Sequence, residues 1–288
     1  FIGESLVRAI GELDVTIKGS TLRATSGLVQ LSAGPSDGER SLDHKTLHIS
    51  SSVVEALGTE IGTWTDGNIE IEVLTGALEL LGNERLHARN LIYVDLHNAT
   101  GVTVQGNEEL SAGRPAPDVP DAPYQGRIAF ELLRLDGTSA VVNGNHFKAS
   151  MVTLEDSAET PWPEELVGPE EPGDHALHFN DNIVYVAAPR YGRFQIVAHN
   201  SGTPCEVLGN EILVASDEGY ASAYLECSAE TATYGDFVVR DNEVLISGPS
   251  PHVNLAYGAA HGAFEFTRNV VQLEGPLGFY SNSALTIG

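Results

Sequence analysis

One frame recurs seven times in this sequence and constrains its fold more than any other feature. Around Asn210, in CEVLGNEILVAS (Cys205–Ser216), apolar residues stand three and five places before the asparagine (Val207, Cys205) and two and four places after it (Ile212, Val214). Alternation with period two marks a strand with one buried face. At the asparagine the alternation changes phase while the apolar side is kept, as at a corner between two strands. The frame also fits Asn145, Asn182, Asn242 and Asn269, and more loosely Asn83 and Asn107. Successive asparagines lie 24, 38, 37, 28, 32 and 27 residues apart, so a unit of constant core carries loops of variable length.

A third alternating segment precedes each corner unit: Ile69–Leu74, Leu91–Leu96, Ile128–Leu133, Met151–Glu155, Phe194–Ala198, Ala223–Cys227 and Val253–Tyr257. Short polar stretches such as HNATG, LDGTS and HNSGTP follow several of them and read as turns. Each repeat is therefore strand 1, turn, strand 2, asparagine corner and strand 3. The expected fold is all-β, a parallel β-helix with three strands per coil and one domain over 1–288. Within it, 1–68 are irregular first coils, 69–273 regular coils and 274–288 closing strands. Leu6, Ile10 and Leu13 stand at helical spacing, so a short capping helix is expected over Ser5–Leu13.

The repeated frame resembles the right-handed parallel β-helix superfamily, often called pectin-lyase-like, over about Ile69 to Leu273. The resemblance implies right-handed winding and an amide ladder of Asn83, Asn107, Asn145, Asn182, Asn210, Asn242 and Asn269. Asparagine tolerates the left-handed backbone of a sharp corner, and Gly or Asp usually stands just before it here. A leucine-rich repeat shares part of the frame. However, the β-branched residues after Asn182, Asn210 and Asn242 suit strands where a horseshoe needs helices.

The net charge is -25, from 40 Asp and Glu against 15 Lys and Arg, and only Lys18, Lys45 and Lys148 are lysines. Phosphate backbones need clustered basic charge, so nucleic acid is not an expected partner. No apolar run approaches a membrane span, so no membrane insertion is expected. The acidic surface suits solubility, including in a halophile cytoplasm, or a groove for neutral or cationic ligands. Cys205 and Cys227 both fall at inward strand positions and read as buried small side chains. The chain opens at Phe1 without a basic-then-apolar leader, which suits a processed chain or a piece of a larger polypeptide.

Function is sought where the repeat is interrupted. Two insertions, Ala112–Arg127 and Asp156–Asp174, flank the strand 1 sheet from opposite sides, as functional loops on solenoids do. The outward positions of strand 1 include Tyr93, Asp95, Glu131, Glu155, Gln195, Tyr224 and Glu226, with His199 at the end of its strand. Tyr124 and Trp162, from the insertions, are candidate stacking platforms. Carboxylates interleaved with tyrosines and amides suit a polysaccharide or cell-surface glycan, directly or bridged by calcium; no other cofactor is implied. Carboxylates on adjacent coils would lie about 5 Å apart and on alternate coils about 10 Å, bracketing the separations glycosidases use.

Enzymes of the resembled superfamily carry sites that this sequence lacks, among them Asn-Thr-Asp with Gly-His-Gly. No zinc-type histidine spacing, phosphate loop or nucleophile elbow is present either. The expected function is therefore a non-catalytic structural or glycan-binding β-helix. It would belong to a surface adhesin, fibre or phage-tail-like appendage, extracellular or on a particle surface, and a homo-oligomer is compatible with it. The alternative is a polysaccharide hydrolase or lyase using Asp95, Glu131, Glu155 and Glu226.

Overall fold

The computed structural model describes residues 2–5, 14–33, 45–58, 67–113, 126–135, 138–159, 176–199, 205–228, 236–258, 263–275 and 285–287. Among these residues there is no helix, and 26 strands form one hydrogen-bonded network in which every pairing is parallel. The expected helix over Ser5–Leu13 lies outside the described residues except for Ser5. That residue is in strand β1 (Ile2–Ser5) and pairs with Leu28.

Three ladders run the length of the molecule. Ladder 1 joins β3 (Thr21–Ala33), β6 (Asn68–Val73), β9 (Leu91–Gln105), β11 (Arg127–Leu135), β14 (Met151–Glu159), β17 (Tyr191–His199), β20 (Tyr220–Ser228), β23 (Ser250–Gly258) and β26 (Leu285–Ile287). Ladder 2 joins β2 (Val15–Lys18), β4 (Lys45–Ser50), β7 (Gly76–Leu81), the second half of β9, β12 (Ser139–Asn143), β15 (Ala176–Asn180), β18 (Cys205–Leu208), β21 (Phe237–Arg240) and β24 (Phe264–Thr267). Ladder 3 joins β1, the first part of β3, β5 (Val53–Ala56), β8 (Arg85–Ala88), β10 (Leu110–Ala112), β13 (His146–Ala149), β16 (Ile183–Ala188), β19 (Glu211–Ser216), β22 (Glu243–Ser247) and β25 (Val270–Glu274). Such long parallel ladders are consistent with a parallel β-helix.

The repeat's apolar positions fill the core as the alternation requires. Cys205, Val207, Ile212 and Val214 are all buried, and the equivalent residues of the other rungs join them in one continuous cluster. Phe130, Phe147, Phe179 and Phe194 follow one another through it, with ring centroids 6.3, 6.1 and 5.7 Å apart. Cys205 is buried as expected; the Cys227 side chain lies outside the described residues.

The corner asparagines form a ladder. Each carboxamide oxygen from Asn107 to Asn269 accepts from the amide of the preceding asparagine at 2.7–3.1 Å. It also accepts from that residue's backbone N–H. One expectation is corrected: the left-handed residue is not the asparagine but the one before it. Gly82, Gly106, Gly144, Asp181, Gly209, Asp241 and Arg268 all have φ between 53° and 65°. The bend is made one residue early, which leaves the asparagine side chain aimed into the core. The same corner recurs near the N-terminus with serine in place of asparagine. Gly19 (φ 57°) precedes Ser20 and Ser51 (φ 49°) precedes Ser52. Ser52 Oγ accepts from Ser20 N at 3.1 Å, and Ser52 N donates to Asn83 Oδ1 at 3.1 Å. The first coils, expected to be irregular, thus carry the same bend without its asparagine.

Several boundaries also move. HNATG, expected as a turn, lies inside the continuous strand β9, with the change of direction taken up at Asn98 (φ 51°). Strand β14 continues through Asp156 to Glu159, so the second insertion starts later than expected. Strands β17 and β20 each begin three residues before the apolar run that marks them in the sequence.

Candidate functional site

The outward face of ladder 1 carries two adjacent in-register rows. In the first, Glu72, Asp95, Glu131 and Glu155 stand on four consecutive rungs, followed by Val197 and then Glu226. Three of the four expected carboxylates, Asp95, Glu131 and Glu155, are thus neighbours, and Glu226 lies two rungs beyond Glu155. Val197, which stands at the same register position, is only 6% exposed between them. In the second row Glu70, Tyr93, Ala129, Thr153, Gln195, Tyr224 and Asn254 follow one another.

Like charges opposite one another on neighbouring strands destabilise a sheet. Two contacts soften the row. The Tyr93 hydroxyl donates to Glu131 Oε2 at 2.7 Å, and His97 Nε2 lies 3.2 Å from Asp95 Oδ1. Partial burial, then the hydrogen bond to Glu131 and the nearby carboxylates Asp95, Glu131 and Glu70, push the Tyr93 phenol well above the ordinary tyrosine range. Tyr93 therefore acts here as a hydrogen-bond donor.

The other expected binding residues divide three ways. Gln195 and Tyr224 are in-register neighbours on β17 and β20. The backbone of His199 pairs with Ser157 and Ser228 at the end of its strand, and its side chain lies outside the described residues. Tyr124 and Trp162 also lie outside them. The first insertion runs from Ala112 on ladder 3 to Arg127 on ladder 1 and the second from Glu159 on ladder 1 to Ala176 on ladder 2, so they adjoin opposite ends of the ladder 1 strands.

Residues that the sequence reading missed extend this face. Tyr191 pairs with Tyr220 in register, their rings within 10° of parallel and 6.1 Å apart. One position further in, Arg193 aligns with Ser222 and His252, its guanidinium 4.7 Å above the Tyr224 ring, and the His252 ring lies 5.6 Å from Tyr224. The signal for Tyr191 and Tyr220 was weak because PRYG and EGYA resemble turns, and the apolar runs begin only at Phe194 and Ala223.

A separate polar cluster lies on ladder 3. Glu55 is 5% exposed and is bonded by Arg23 Nε at 2.6 Å and by Arg85 Nη1 at 3.3 Å. In register with it, His87 Nδ1 lies 2.8 Å from Ser111 Oγ, which donates to Glu109 Oε1 at 2.7 Å. Burial lowers the His87 pKa against the opposing pull of Glu109 and Glu55, and Arg85 lowers it further.

Within the core, Arg134 and Asp156 form a fully buried bidentate pair at 2.6 and 2.5 Å. Arg134 also donates to Thr138 O at 2.9 Å. Among the described residues no group of three or more His, Cys, Asp or Glu side chains is arranged to hold a metal ion. No protein-family model, curated protein or solved structure matches the chain.

Proposed function

We propose that the chain is a right-handed parallel β-helix with three strands per coil, serving as a non-catalytic glycan-binding module with its ligand along the outward face of ladder 1. It would sit on a cell or particle surface, as part of an adhesin, fibre or tail-like appendage. The observation that supports this reading most is the pairing of the two rows on one sheet face. Carboxylates accept from sugar hydroxyls, Gln195 and Asn254 both donate and accept, and Tyr93 offers ring surface. A run of like charges on consecutive rungs weakens the sheet, and its persistence on one face fits a ligand that supplies hydroxyl donors or positive charge.

The second reading is a polysaccharide hydrolase or lyase. It is favoured by Glu131 and Glu155 standing directly opposite each other on adjacent strands, a spacing of about 4.8 Å between backbones, close to the separation of about 5–5.5 Å in retaining glycosidases. Incubating the protein with a broad panel of neutral, acidic and amino-sugar polysaccharides separates the two. Retention on a polysaccharide without products supports the binding module. New reducing ends or unsaturated uronates that vanish in Glu131→Gln replace it with the enzyme. Neither retention nor products would overturn both.

A further inference from the structure

We infer that Tyr191 and Tyr220 form a two-ring shelf that takes the apolar face of a neutral, β-linked pyranose chain. The inference rests on the glycan-binding reading and adds the sugar class and the place.

Tyr191 is 63% exposed and Tyr220 59%, which sets them apart from the half-buried Tyr93 and Tyr224 on the same face. The Tyr93 hydroxyl is engaged by Glu131, and the Tyr224 ring is packed by Arg193 and His252. Among the described residues neither the Tyr191 nor the Tyr220 hydroxyl has a hydrogen-bond partner. The two rings are held on successive rungs by the register of β17 and β20 and run nearly parallel. Tyrosine gives a large rigid contact area for two side-chain torsions, so little entropy is lost when a ligand covers it.

What surrounds the shelf selects the ligand. Arg190, adjacent to Tyr191, and Glu218, two residues before Tyr220, pair with each other at 3.5 Å and are 74% and 68% exposed. They offer donors and acceptors without net local charge. Ser250 continues the tyrosine row on the next rung, and Ser222 and His252 stand in the row beside it. A pyranose fits this pattern because its axial C–H groups make an apolar face and its equatorial hydroxyls point sideways to polar partners. Polyanions are disfavoured by the net charge of -25 and by the carboxylate row on the same sheet. Two side chains are far too small an area for a stable protein partner, which needs about 1,000 Å² of buried surface.

The test is calorimetric titration of the full chain with cellohexaose, mannohexaose and xylohexaose. Saturable binding to at least one is expected. Tyr191→Ala and Tyr220→Ala should each weaken it about tenfold or more, with Tyr191→Phe restoring most of the affinity. Both positions are exposed, so unchanged thermal unfolding will show that the alanine variants fold. If a hexaose binds equally well to the alanine variants, the shelf is wrong and glycan binding stands. If no hexaose binds but a polysaccharide of the wider panel does, the shelf is again wrong and the broader reading survives. If nothing in either set binds, both fall together.

Discussion

Asn210 is tied to Asn182 twice: its carboxamide oxygen accepts from the Asn182 backbone N–H at 2.9 Å and from the Asn182 side-chain amide at 3.1 Å. Its own amide donates to Phe179 O and to Asn242 Oδ1, both at 2.9 Å. The side chain of this 2% exposed residue therefore satisfies buried groups on both neighbouring rungs.

Asn210→Ala leaves the Asn182 donors, Phe179 O and one acceptor site of Asn242 without partners. Each orphaned buried group costs about 1–3 kcal/mol, and relaxation recovers part of the sum. A loss of about 3–5 kcal/mol is expected in urea unfolding. The same change at Asn269, the last and half-buried rung, also strips the Asn242 donors of their acceptor but should cost less, because the site is partly solvated and no described asparagine beyond it accepts from its amide. Equal losses at the two positions would show that the ladder does not act as a linked series.

The Arg134–Asp156 pair is 0% exposed on both sides. Breaking such a pair strands a buried charge, so Arg134→Met should destabilise by about 3–5 kcal/mol. The double variant Arg134→Met with Asp156→Leu should recover much of that loss, since an apolar pair of similar volume removes the desolvation penalty. A double-mutant cycle by urea unfolding measures the coupling. Additive losses would mean that the two charges are solvated independently.

His87 supplies a pH test. Burial holds its folded pKa below the ordinary histidine value of about 6.5. The stability this contributes is present above the unfolded pKa and is lost as pH falls through the folded one, because the unfolded chain takes up the proton first. Glu55 and Glu109 oppose the shift and Arg85 adds to it. Urea midpoints between pH 7.5 and pH 5, a range of about 2.5 units around that value, should fall less steeply in His87→Gln than in the parent. An identical slope would show that His87 takes up its proton equally in the folded and unfolded chains, so that burial does not depress its pKa.

How much was legible in the sequence follows from which signals are periodic. The apolar residues around Asn210 repeat often enough to give the parallel strands, and their burial follows from alternation alone. Ser20 and Ser52 were not legible because serine is common in ordinary loops, and only the preceding left-handed Gly19 and Ser51 reveal the corner. Arg134 and Asp156 were read past because a charge normally ends an inward row; here the alternation of Phe130 and Leu132 continues into Arg134, and that of Leu154 into Asp156. The acidic face was legible residue by residue, but its register was not. That Asp95, Glu131 and Glu155 stand directly opposite one another depends on strand pairing across loops whose lengths the sequence leaves unrelated.

The most direct test of the central claim is carbodiimide labelling of carboxylates, read by mass spectrometry, with and without the tightest-binding polysaccharide of the panel. A ligand on the ladder 1 face predicts that Asp95, Glu131, Glu155 and Glu226 are protected, while Glu211 and Glu243, exposed at the start of β19 and β22 on ladder 3, label as before. Protection at Glu211 and Glu243 with no change along ladder 1 would contradict the account.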